Sequence, residues 1–233
     1  MRAFTSLIHD FSHLFFPHCC AGCGTDTPGK AAALCMRCLH DFPVTNFHTY
    51  ANNPVERVFA GRIPLVSGTA YGYFTRGAMV QRVLHALKYK GNKEAGRMLG
   101  RMMGQCLLES RRFDGVEALA PVPLHAARER ARGYNQSAVI CEGIAEVMGL
   151  PVITNALTRL STTGTQTHRN RIERWQHMEG KFRLAKRGLI EGRHMLLVDD
   201  VITTGATMEA CARALLPAGN VKLSVAALAW ADG

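Results

Sequence analysis

The stretch that most limits what this 233-residue chain can fold into runs from His194 to Met208. Met195 to Val198 is an apolar run too short for an ordinary helix and bounded by polar groups, which predicts a strand buried on both faces. Two adjacent carboxylates, Asp199 and Asp200, fall where that strand is expected to run out. A loop of small, hydroxyl-bearing residues, Thr203-Thr204-Gly205-Ala206-Thr207, then leads into a helical segment from Met208 to Leu216. In an open α/β sheet, ligands bind at that end of the strands.

Small residues let backbone N–H groups converge, the following helix adds partial positive charge, and the hydroxyls of Thr203, Thr204 and Thr207 can donate to phosphate oxygens. Gly205 allows close approach of a ligand or a positive φ. The carboxylates cannot hold phosphate; they suit vicinal hydroxyls or a hydrated Mg²⁺. The implied ligand therefore carries a phosphate, a diol and a metal-bound pyrophosphate. Apolar run, Asp pair and Thr-Thr-Gly-x-Thr together favour this cradle over a strand followed by a turn Asp and a Thr N-cap. Leu196 to Thr207 resembles the phosphoribosyl pyrophosphate (PRPP) motif of type I phosphoribosyltransferases, with no evident gap or substitution.

The length accommodates one α/β domain and a small module, and 47% hydrophobic residues support a packed core. No apolar run is long enough to span a membrane. Met1 to Pro17 places Phe4, Leu7, Ile8, Phe11, Leu14 and Phe15 at helical spacing, interrupted by His9, Asp10 and His13. It lacks the continuous apolar region and cleavage site of a signal peptide and reads as an amphipathic packing helix, with membrane-surface contact the alternative. A cytoplasmic protein is expected. The net charge of +10, from 28 Lys and Arg against 18 Asp and Glu, favours an anionic partner. It does not separate a phosphorylated metabolite from nucleic acid, or either from a solvated basic surface.

Cys20-Ala-Gly-Cys23 and Cys35-Met-Arg-Cys38 form two Cys-x-x-Cys knuckles separated by eleven residues. They can present four thiolates to one structural Zn²⁺, which would supply much of the stability of so small a module. A disulfide pair is the competing reading, and His18 or Cys19 could replace a ligand. Gly22 and Gly24 suit a tight turn around Cys23, which favours Cys20 over Cys19. Cys106, Cys141 and Cys211 stand singly in apolar segments, as buried small hydrophobes do.

Residues 39 to 61 lack clean periodicity, and Asn52-Asn53-Pro54 is a turn signal, so a connector is expected. A strand is predicted over Gly68 to Phe74. One helix follows with Val80, Val83, Leu84 and Leu87 on its buried face, stopped at Gly91-Asn92, and a second with Ala95, Leu99, Met102 and Cys106. Several glycines weaken the regularity of the second. Lys88, Lys90 and Lys93 cluster at the break, solvated or anion-binding. Val116 to Ala120 should be a strand that ends before Pro121 and Pro123, because two prolines cannot belong to a central ladder. Arg128, Arg130 and Arg132 follow, and a helix opens at Gly133-Tyr134-Asn135-Gln136. After a strand-like Ala156 to Leu160, the basic segment Ser161 to Gly180 is placed to cover a ligand. Trp175 within it reads as a packing residue rather than a base-stacking one. Phe182 to Leu184 and Lys222 to Trp230 complete the strands of an α/β arrangement.

A double Cys-x-x-Cys module ahead of this core resembles the ComF family, which includes ComFC and GntX-like proteins. The resemblance also rests on Leu87-Lys88-Tyr89-Lys90-Gly91, Pro121-Val122-Pro123-Leu124, Arg132-Gly133-Tyr134-Asn135-Gln136-Ser137, Thr165-Gln166, Arg174 and Gly180-Lys181-Phe182. It runs from about Phe15 to about Leu228. One departure lies at Gln176 to Glu179, where such proteins tend to carry an Asn before the Gly. The resemblance implies a type I phosphoribosyltransferase-like, mostly parallel sheet with helices on both faces, preceded by a small zinc ribbon. The expected division is 1–45 for the N-terminal segment and ribbon, 46–67 for the connector and 68–233 for the phosphoribosyltransferase-like domain.

By resemblance, Asp199 and Asp200 hold the ribose hydroxyls and the metal shell, Thr203 to Thr207 the 5′-phosphate, and Val122, Pro123 and Leu124 the pyrophosphate. Lys88, Arg132, Asn135 and Gln136 are matched positions without individual roles. The implied cofactors are structural Zn and Mg with PRPP. The implied activity is phosphoribosyl transfer to an acceptor the sequence does not identify, associated with competence, DNA uptake or DNA utilisation. The alternative is a non-catalytic module that senses PRPP or a nucleotide, or handles single-stranded DNA for an uptake machine. Oligomeric state is not legible.

Overall fold

In this computed structural model, residues 19–26, 33–160 and 181–232 are described. The expected helix at Met1 to Pro17 and the covering segment Ser161 to Gly180 lie outside them, as do His18, Gln166, Arg174 and Trp175.

Four parallel strands form one sheet in the order β1-β6-β5-β2: β1 Gly68–Tyr73, β2 Ala118–Pro121, β5 His194–Ile202 and β6 Lys222–Trp230. A separate antiparallel pair joins β3 Leu157–Arg159 to β4 Phe182–Leu184. The central β5 takes β2 on one side and β6 on the other. Helices cover both faces, so Met195 to Val198 have no exposed surface. The strand does not stop before the carboxylates. It continues through Asp199 and Asp200 to Ile202, because β6 keeps pairing as far as Trp230. Pro121 also belongs to the ladder, opposite Val198. The Val122 N–H donates to the Val198 carbonyl, whereas the Leu119 N–H points the other way, to Pro151. Odd-numbered N–H groups of β2 therefore face outward, and proline removes no bond to β5.

On one face lie α3 Met79–Tyr89, α4 Lys93–Glu109 and α6 Gln136–Met148. Their buried residues share one core with β5, β6 and the cysteine module, whose helix α1 is Met36–His40. Val80, Val83, Leu84 and Leu87 are buried as their spacing predicts. In α4, Met103 and Leu107 face the core more fully than Met102 and Cys106. The glycines of α4 have a physical reason. A Cβ at Gly100 would lie 2.4 Å from the Ile140 carbonyl oxygen, and one at Gly143 would lie 2.1 Å from that of Arg97. Bare backbone on both helices lets α4 and α6 approach closely.

The other face carries α2 Pro54–Phe59, α7 Ala206–Leu215 and the β3-β4 pair. The Asn-Asn-Pro sequence is the start of α2, with Asn53 accepting from the Glu56 N–H and Pro54 in the first turn. Residues of the expected connector thus pack on the sheet: the Val66 N–H donates to the Leu223 carbonyl at 2.8 Å, and Val55 and Phe59 are buried. A fifth short helix in chain order, α5, spans Ala126–Arg132 and buries none of its residues.

The α4-α6 contact gives a direct prediction. Gly143→Ala forces the two backbones apart and should lower unfolding free energy by about 1–3 kcal/mol. Gly188→Ala, where a Cβ meets nothing within 4 Å, is the matched control and should leave the urea midpoint unchanged.

Candidate functional site

Asp199 and Asp200 lie side by side near the carboxyl end of β5, 8% and 7% exposed. The Ser137 hydroxyl donates to Asp199 Oδ1 at 2.9 Å, and the Asp200 N–H donates to the same oxygen at 2.9 Å. Lys88 Nζ stands 2.7 Å from Asp200 Oδ2 as an ion pair without a directed hydrogen bond to that buried oxygen. Burial, then the neighbouring charge of Asp200, pushes Asp199 up to about 7 against the opposing effects of the Asp200 N–H, Ser137 and Lys88. Burial beside a second carboxylate thus disfavours the ionised form of Asp199. The two carboxylates suit a ligand that brings hydroxyl donors or a divalent cation.

The Arg132 to Ser137 motif builds the wall beside them. Gly133 ends α5 with φ 81°, and the Tyr134 hydroxyl donates to the Leu87 carbonyl, fixing the end of α3. Asn135 caps α6 by accepting from the Ser137 N–H at 3.0 Å, while its amide donates to the Val122 carbonyl at 2.9 Å. Gln136 is buried and accepts from Arg132, whose guanidinium also lies 5.6 Å from the Tyr89 ring centroid. Asn135 thus ties the Val122 carbonyl to the start of α6, and Gln136 is paired with Arg132. Lys88 is directed at Asp200. Ser137, the motif's last residue and the second of α6, contacts Asp199 but is not among the expected site residues.

Beyond β5, Thr203 and Thr204 are exposed, and none of the hydroxyls of Thr203, Thr204 and Thr207 has a partner among the described residues. Gly205, with φ 72°, is the N-cap of α7, and no side chain caps that helix. A Cβ there would meet Val58 at 2.6 Å and Phe59 at 2.8 Å, so only glycine lets α2 pack under the loop. Arg62 donates to the Thr204 carbonyl at 3.0 Å and pairs with Glu209, which Arg213 also reaches at 2.9 Å. Glu209 is 3% exposed, so the arginines hold the first turn of α7 from behind. Open N–H groups and free hydroxyls therefore face outward, as an anion site requires.

The sulfurs of Cys20, Cys23, Cys35 and Cys38 all lie within 4.8 Å of one another, with no disulfide among them. Cys23 and Cys35 are 3.7 Å apart, close to the roughly 3.8 Å set by tetrahedral metal–sulfur bonds of about 2.3 Å. Backbone N–H groups of Gly22 and Cys35 donate to Cys20, and that of Cys38 to Cys35, as thiolate ligands demand. Hydrogen bonds to Thr25 lower Cys23 to about 6, and burial pushes Cys38 up. The cluster fits a metal ion. Cys19 is exposed and outside it.

The raised pKa of Asp199 makes stability depend on pH with a definite sign. The native state keeps this proton up to about 7, whereas the unfolded group releases it near 3.8, so the wild type loses stability from this group across that window. Asp199→Asn keeps the Oδ1 acceptor and removes the titration. In metal-free buffer, the variant's excess unfolding free energy should be near zero at pH 4 and reach about 1–3 kcal/mol above pH 7. A difference that does not grow with pH would overturn the account of the buried pair.

Residues 135–232 match the phosphoribosyl transferase domain family. The DNA utilization protein YhgH of Salmonella typhi is 34% identical over 146 residues, covering 61% of this chain and 63% of that protein. Competence protein F of Haemophilus influenzae is 29% identical over 153 residues, covering 64% and 67% of the two chains. Competence protein ComFC of Bacillus subtilis is 34% identical over 102 residues, covering 44% and 39%. The chain spans less than two thirds of the length of the YhgH relative it matches. The parallel sheet and the matched domain give the chain a type I phosphoribosyltransferase-like fold, with a four-cysteine cluster that can hold a metal ion ahead of it.

Proposed function

We propose that the protein binds PRPP with Mg²⁺ and transfers its phosphoribosyl group to an acceptor associated with the handling of DNA in the cytoplasm. The observation that carries this reading is the buried Asp199-Asp200 pair beside the uncapped start of α7. Asp199 and Asp200 would hold the ribose hydroxyls and the hydrated Mg²⁺, and they fit it: adjacent, buried and short of positive charge. When bound, Mg²⁺ supplies charge neutralisation on the pyrophosphate leaving group. Thr203 to Thr207 and the N–H groups of α7 hold the 5′-phosphate, and the loop Val122 to Leu124 holds the pyrophosphate. Ser137 orients Asp199, and Lys88 pairs with Asp200 and holds it in place. Rate acceleration comes from positioning and charge stabilisation, with no side-chain nucleophile. The names of the relatives, DNA utilization and competence proteins, support the association with DNA.

The double variant Asp199→Asn with Asp200→Asn should stay folded and lose PRPP binding by more than about 100-fold in titration calorimetry with Mg²⁺. Unchanged binding would sink the assignment. Pyrophosphate release from PRPP, measured against bases, nucleosides and DNA ends, then identifies the acceptor. A second reading, nucleic-acid association without turnover, is favoured by α5, where Arg128 and Arg130 are exposed and unpaired among the described residues. It requires single-stranded DNA binding that weakens steeply with salt.

We further assign Zn²⁺ to the cysteine cluster. Metal analysis of the purified chain should give about one zinc per chain, and Cys35→Ser should reduce that content and lower the thermal midpoint.

A further inference from the structure

The two carboxylates are held by groups of different kinds. Asp199 Oδ1 accepts from the Ser137 hydroxyl and the Asp200 N–H, both neutral donors. Asp200 Oδ2 is closed to water and accepts no directed hydrogen bond, and the Lys88 ammonium lies 2.7 Å from it. A neutral donor can stay in place when a metal ion arrives. A cation cannot. A Mg²⁺ about 2.1 Å from Oδ2 would stand roughly 3.4 Å from Nζ even at a right angle to the ion pair. Two positive charges at that range, in a site with little water between them, repel strongly. Asp200 Oδ2 therefore takes the ammonium or a divalent ion, and not both.

The surroundings of Lys88 let it give way without disturbing the fold. It is the last residue but one of α3, and the backbone on either side is anchored. The Tyr134 hydroxyl donates to the Leu87 carbonyl, and the Lys90 N–H donates to the Ala86 carbonyl. The flexible four-carbon stem is then the moving part, and it is only partly buried, so the ammonium has a path to water. A free metal ion has to displace that ammonium unaided. An ion carried on a pyrophosphate brings anionic oxygens that can take up the displaced charge.

We propose that Lys88 and a divalent cation are exclusive occupants of Asp200, so that Lys88 denies the carboxylate pair to free Mg²⁺ and favours an ion delivered on a polyanion. This is a regulation of the site described above, and it rests on the reading of Asp199 and Asp200 as the diol and Mg²⁺ site. Mn²⁺ is titrated into the full chain without PRPP, the unbound ion being followed by electron paramagnetic resonance. Lys88→Met should bind about one Mn²⁺ per chain at least about tenfold more tightly than the wild type. Lys88→Gln, which leaves Asp200 a neutral donor, should shift in the same direction and supplies the comparison if the apolar variant does not fold. Lys88→Arg keeps a cation on Asp200 and should stay within about threefold of the wild type. Lys90→Met removes a nearby exposed charge and should also stay within about threefold, which separates occupancy of Asp200 from a general field effect. Adding Asp200→Asn to Lys88→Met should abolish the gain. Inorganic pyrophosphate with Mg²⁺, titrated by calorimetry, should bind Lys88→Met no more tightly than the wild type.

The proposal is overturned if neither neutral variant gains Mn²⁺ affinity, or if Lys88→Arg or Lys90→Met gains as much. It is equally overturned if the gain survives Asp200→Asn or extends to Mg-pyrophosphate. The Mg-PRPP titration of the double Asp variant decides the underlying reading separately. Loss of PRPP binding there, with no Mn²⁺ gain on removing Lys88, defeats the exclusion alone.

Discussion

Everything at the candidate site depends on keeping two carboxylates buried side by side at the end of the central strand. An isolated buried carboxylate is too expensive to stay charged, and two in contact are worse. The fold lowers that cost from one face of the sheet: Ser137 donates from α6, and Lys88 supplies positive charge from α3. Neither helix can move independently. The glycines of α4 and α6 bring those helices together at backbone distance, and the Tyr134 hydroxyl binds the end of α3. Close packing some distance from the site is therefore what lets a hydroxyl reach Asp199.

The opposite face shapes the loop from Thr203 to Thr207. Glu209 is buried beneath the first turn of α7 and shared between Arg62 and Arg213, so the loop carbonyl at Thr204 is held from behind rather than by the Thr side chains. This leaves those hydroxyls outward. The division is physically sensible, because a loop stabilised by its own hydroxyls would have to break those bonds to accept a phosphate.

Much of this was legible because it rests on local pattern. The run Met195 to Val198, the Asp pair and the Thr-rich loop each carry their own physics, and the two Cys-x-x-Cys pairs did cluster. The readings that needed revision are those decided by distant residues. The continuation of β5 past the aspartates is dictated by β6, and Pro121 is tolerated in the ladder because β2 is an edge strand and the proline nitrogen, which has no hydrogen to donate, faces away from β5. Asn52-Asn53-Pro54 contains the signals of both a turn and a helix start, and the burial of Val55 and Phe59 against the sheet decides for the helix. The salt link of Arg62 to Glu209 joins residues 147 positions apart, and no local pattern announces it.

The cysteine module is more than an appendage by the same reasoning. Cys20, Leu34 and Cys38 belong to the core that contains Val80, Val83 and Leu84 of α3, and the Arg82 side chain donates to the Gly22 carbonyl. A Cβ at Gly22 would strike both Cys38 and Met79 at 2.9 Å, so the knuckle sits directly on the first turn of α3. Lys88 lies nine residues further along, about 13 Å at 1.5 Å per residue. A metal ion that orders four thiolates would thus also order the surface against which α3 packs. The carboxylates are held by the far end of that same rigid element.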